Sequence, residues 1–133
     1  MSSDVGFAGG VKQRRRGNKT VKHAVKWIAD QKKNSVTVGK YLQSAPNGVI
    51  KGIVNAALNL EQNPGVNLSK NQKRFFARKR KYISFLTNPK IGFQQKRKAL
   101  QAGGFIPVAI LAPILTTVIG ALATKFLSSV DLD

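Results

Sequence analysis

Apolar residues recur along this chain at helical spacing, and proline, glycine and capping residues separate the periodic stretches. Val21, Ala24, Val25 and Ile28 stand at i, i+3, i+4 and i+7 behind Thr20, a capping residue, and predict a helix over 20–32 with Trp27 beside the stripe. The next segment, 35–43, is ambiguous. Val36 and Val38 alternate with Ser35 and Thr37 as in a short extended piece, and Gly39 weakens either assignment. Beyond the turn Ala45-Pro46-Asn47-Gly48, residues Val49, Ile50, Ile53, Val54, Ala57, Leu58 and Leu60 predict a helix over 48–61, stopped by Asn63-Pro64-Gly65. Ser69-Lys70-Asn71-Gln72 has the S-x-x-Q form of a capping box, which satisfies amides of a first helical turn. The helix it opens is predicted over 70–87, and Asn88-Pro89 ends it because the residue before proline is pushed out of the α region. A last basic helix is predicted over 93–101, with Gly103 as its left-handed cap.

Two ends differ from this pattern. Residues 1–17 hold four glycines and no apolar period, which predicts a disordered arm; no apolar run follows its first charges, so it does not read as a secretory signal. Phe105 to Thr124 is twenty residues without a charge, the length of a membrane-spanning helix. Pro107, Pro113 and Gly120 interrupt it, so the tail helix is predicted to be broken or bent near Pro113. Three readings of this tail stand open: a membrane span through 105–124, a segment inserted at a later event, or a buried helix that self-associates or docks a partner. The expectation is an all-α chain of short amphipathic basic helices with little common core. It divides into a flexible arm (1–17), a basic nucleic-acid-binding region (18–102) and an apolar C-terminal tail (103–133).

Charge sharpens the picture. Of 23 Lys and Arg residues, 22 fall between Lys12 and Lys98, where only Asp30 and Glu61 oppose them, a local net of +20 within a chain of +18. Like charge on that scale disfavours a compact state unless a polyanion neutralises it. The chain has no Cys and one His, His23, so a disulfide framework and a Cys/His zinc site are excluded, and no cofactor is expected. Three of the five acids lie at the termini and the internal two are 31 residues apart, which leaves no carboxylate pair for a hydrolase and no catalytic residue to name. The candidate nucleic-acid-binding residues are Arg14, Arg15, Arg16, Lys19, Lys22, Lys26, Lys73, Arg74, Arg78, Lys79, Arg80, Lys81, Lys96, Arg97 and Lys98. Such clusters release condensed counterions from phosphates, and they also serve as nuclear-import signals. Lys19, Lys22 and Lys26 fit a plain solvated helix face equally well. No recognition-helix, zinc-finger or RNA-binding signature is visible, so base readout is not expected.

Phe7-Ala8-Gly9-Gly10-Val11 and Gln101-Ala102-Gly103-Gly104-Phe105 repeat Ala-Gly-Gly before a large apolar residue. A basic segment, then Gly-Gly, then an apolar tail with Pro107 and Pro113 resembles the precursors of adenovirus core protein X (mu) and related proteins of Polinton/Maverick-type DNA elements. The resemblance covers about Lys79 to Ser129 and is best over Lys96 to Pro107. It implies a viral core protein that condenses double-stranded DNA in the virion and in the host nucleus, with core or capsid proteins as further partners. It also implies a viral cysteine protease cutting after glycine pairs, here Gly10-Val11 and Gly104-Phe105. The second site ranks higher, because a cut there would free the basic part from the apolar tail. The competing expectation, from a different class, is a minor capsid or membrane-active protein that uses the tail against a bilayer.

Overall fold

The computed structural model describes residues 21–31, 34–101, 103–122 and 125–127, among which every regular element is helical. The expected arm, 1–17, lies outside them. Residues 21–30 form α1, followed by α2 (Ser35–Leu42), α3 (Asn47–Gln62), α4 (Lys70–Arg78), α5 (Arg80–Thr87), α6 (Phe93–Leu100) and α7 (Leu111–Leu122), with a 3-10 turn at Val108–Ile110. Segment 35–43 is thus helical, not extended. Val38 and Leu42, one turn apart, are both buried, and α2 packs on the 3-10 turn and α6, so tertiary burial overrides the β-branched composition.

Capping follows the sequence closely. Ser69 Oγ accepts the Gln72 amide at 3.2 Å, and Gln72 Oε1 accepts the Ser69 amide at 2.9 Å, a complete capping box. The expected single helix over 70–87 is instead divided at Lys79, whose φ and ψ of −100° and 13° lie in the bridge region. No proline or glycine marks this break. At the end of α3, Asn63 Nδ2 donates to Asn59 Oδ1 at 2.9 Å while Asn63 Oδ1 accepts the Gly65 amide at 2.8 Å, so one side chain closes the helix and shapes the turn.

The expectation of little common core is overturned. One contiguous buried cluster takes residues from every helix: Val25 and Ile28 of α1, Leu42 of α2, Ile50, Ile53 and Ala57 of α3, Phe76 of α4, Ile83 and Leu86 of α5, Leu100 of α6, and Leu111, Ile114, Leu115 and Val118 of α7. Each basic helix carries only a narrow stripe and looks independent when read alone. The uncharged tail completes the core, because α7 lays its i, i+3, i+4, i+7 stripe against α3, on which α5 also packs. Thr116 Oγ1 donates to the Ala29 carbonyl at 3.3 Å and ties the same helix to α1. No helix among the described residues is long and apolar enough to cross a membrane. Nor does Pro113 break α7. It falls in the first turn, where the missing N–H would have had no helical partner.

The glycine pair has its own conformational reasons. Gly103 adopts φ +78°, the left-handed region the sequence predicts, and the Gly104 amide donates to the Gln101 carbonyl at 2.8 Å. A Cβ on Gly104 would run into the carbonyl oxygens of Lys98 and Ala99. This close approach lets the Ile106 amide reach the Ala99 carbonyl at 2.9 Å, folding the chain back from α6 toward the 3-10 turn.

Candidate nucleic-acid interface

Among the described residues, the densest exposed charge lies on α4 and α5. At about 100° per residue, Lys70, Lys73, Arg74 and Arg78 share an arc of roughly 140° on α4, spread over about 12 Å of helix axis. The opposite arc carries Gln72, Phe75 and the buried Phe76, so the packing of one face fixes the outward direction of the other. Arg80 and Lys81 continue the exposed set at the start of α5, where Ile83 and Leu86 turn inward. Lys79, at the break, is half-buried with its ammonium 5.9 Å from the Phe75 ring centroid. The two carboxylates among the described residues, Asp30 and Glu61, belong to α1 and α3, and Glu61 borders the same cleft as Lys73 and Arg80.

Lys96 and Arg97 do not belong to the exposed set. Lys96 is only 8% exposed and borders the same cleft as Val54 and Leu58 of α3 and Phe93 of its own helix. Arg97 donates through one terminal nitrogen to the Leu42 carbonyl at 3.3 Å and through the other to Asn47 Oδ1 at 2.7 Å, with its guanidinium 5.8 Å from the Phe93 ring. It ties α6 to the end of α2 and the start of α3. Lys98, the third cation of that run, is exposed. On α1, Lys26 is exposed and Lys22 half-buried. Arg14, Arg15, Arg16 and Lys19 lie outside the described residues.

Sequence reasoning passed over Lys40, Lys51, Lys70 and Lys90, all exposed. Lys70 had a usable signal, since it falls three residues before Lys73 and four before Arg74 on the same helix face. Also missed was an aromatic group beside the cations. Phe105, 53% exposed, stands 5.3 Å from the Tyr82 ring and 5.5 Å from the Phe85 ring. The Lys81 ammonium lies 5.1 Å from the Tyr82 centroid and 6.0 Å from that of Phe105.

Of the candidate cleavage residues, Gly10 and Val11 lie outside the described residues, while Gly104 and Phe105 are exposed at the turn after α6. A cut between Gly104 and Phe105 would separate the basic helices from α7, the helix that fills their core. Among the described residues, no three His, Cys, Asp or Glu side chains gather as a metal site would require. Compared with protein-family models, with curated proteins and with solved structures, the chain matches none.

Proposed function

We propose that this protein binds and condenses double-stranded DNA through non-specific phosphate contacts, as a core nucleoprotein of a virus or virus-like element related to the adenovirus type. The observation that carries this reading is the cation-rich face of α4 and α5, where Lys70, Lys73, Arg74, Arg78, Arg80 and Lys81 are all exposed and Glu61, beside Lys73 and Arg80, is the one carboxylate among the described residues that borders them. A surface of that kind attracts a polyanion, and its affinity comes from counterion release rather than base recognition. Exposed Lys26, Lys40, Lys51 and Lys98 on four other helices supply cations for further strands, which condensation requires. The resemblance to core protein X precursors supports the same reading through the basic stretch from Lys79 to Lys98. The virion core, and the host nucleus during assembly, would be its places of action. Acting on a membrane through the C-terminal stretch would require pulling α7 out of the core it completes.

The test is a variant in which Lys73, Arg74, Arg78 and Arg80 are replaced by Gln, titrated against duplex DNA over a range of salt. All four side chains are exposed, so the fold should survive, as circular dichroism would report. Loss of four phosphate contacts should lower affinity and flatten the slope of log K against log salt by roughly 3–4. Unchanged affinity and slope would place DNA binding elsewhere or nowhere.

A further inference from the structure

Phosphate neutralisation needs no aromatic groups, yet the cationic face borders an exposed aromatic one. We infer that Phe105, supported by Tyr82 and Phe85 and flanked by Lys81, is a stacking platform for an unpaired base, so that single-stranded DNA gains a contact that duplex DNA lacks. The inference rests on the nucleic-acid reading of the α4–α5 face and adds a second substrate class to it.

Four observations carry it. Phe105 is more than half exposed, and its ring rests on Tyr82 and Phe85 at tilts of 59° and 54°. Its backbone is held by the turn before it, where Gly103 takes φ +78° and Gly104 abuts the end of α6, so the ring is presented from an ordered support. A cation is in reach, with the Lys81 ammonium 6.0 Å from the ring centroid, suited to the phosphate of a nucleotide whose base lies on the ring. Finally, Tyr82 and Phe85, which support the ring, share α5 with the exposed Lys81, so a strand held by Lys81 lies beside the ring. Val36, the other large apolar residue left exposed among the described residues, is 68% exposed in a cleft it shares with Gly103, Gly104 and Pro107, and neither an aromatic ring nor a cation lines that cleft. Every base has a π-face, so stacking here would be tolerant of sequence, whereas a paired base within a duplex keeps its faces covered by its neighbours.

The experiment compares Phe105→Ala and Phe105→Trp with the unaltered full chain, using a fluorescent twenty-nucleotide oligothymidylate and a twenty-base-pair duplex in separate anisotropy titrations. Phe105→Ala should weaken single-strand binding about tenfold and leave duplex binding within about twofold, whereas Phe105→Trp should retain single-strand affinity. The introduced indole should also be quenched by oligothymidylate but not by duplex, after subtraction of the Trp27 signal. Equal losses on both substrates, or no loss on the single strand, would overturn the platform while duplex binding and its salt dependence persisted. If the unaltered chain bound neither substrate, the nucleic-acid reading would fall and the platform with it.

Discussion

Ending the chain at Gly104 tests most severely whether the uncharged C-terminal stretch is core or appendage. The truncation removes Ile106, Ile110, Leu111, Ile114, Leu115, Val118 and Phe126, each at most 3% exposed. At about 1.5–3 kcal/mol for each fully buried large apolar side chain, the loss is on the order of 10–20 kcal/mol, an upper bound because an unfolded chain already hides some apolar surface. A domain's whole net stability is about 5–15 kcal/mol. The 1–104 fragment should therefore lose cooperative folding, seen as a weak helical signal without a melting transition in far-ultraviolet circular dichroism. A milder version is Leu115→Ala, at a position with no exposed surface in the contact between α7 and α3. Its cost should be about 2–5 kcal/mol, which at roughly 4 °C per kcal/mol lowers Tm by about 10–20 °C. A 1–104 fragment that kept its helicity and melted cooperatively would refute the packing described here, as would a Leu115→Ala protein within about 0.5 kcal/mol of the parent.

The glycine pair and the two kinds of cation give further tests. Gly103→Ala should cost about 1–2 kcal/mol in thermal unfolding through left-handed strain. Gly104→Ala should cost more, because its Cβ meets backbone carbonyls rather than a movable side chain; if the pair served only a protease, neither change would alter melting. Arg97→Ala should lower stability by about 1–3 kcal/mol, since it removes bonds to the Leu42 carbonyl and Asn47, while leaving the DNA salt slope unchanged. Arg74→Gln should do the reverse, reducing the slope by about 0.9 and shifting stability by less than about 0.5 kcal/mol.

Local signals in the sequence carried as far as single helices. The Ser69–Gln72 box, the stripe from Val49 to Leu60 and the left-handed Gly103 are short-range features, and each is present in the fold. Long-range placement was not legible. Twenty uncharged residues have the same composition in a bilayer and in a buried helix, and only the α3 face opposite Leu111, Ile114 and Leu115 decides between them. The break at Lys79 has no composition of its own, and α2 is helical because Val38 and Leu42 find neighbours far along the chain. The same holds for the candidate interface. Lys73, Arg74 and Arg78 were legible because their spacing fixes one helix face. Lys96, Arg97 and Lys98 are consecutive cations that only packing tells apart, the first covered, the second bonded across fifty residues to Asn47, the third exposed.

The most direct measurement is the salt dependence of duplex binding by the full chain, taken at several potassium chloride concentrations with two unrelated sequences. Six exposed cations on α4 and α5, each worth about 0.9 in slope, predict that log K falls linearly with log salt at about −5 or steeper. The two sequences should give superimposable lines. A slope shallower than about −1, or selective binding of one sequence that persists at high salt, would contradict recognition through phosphates.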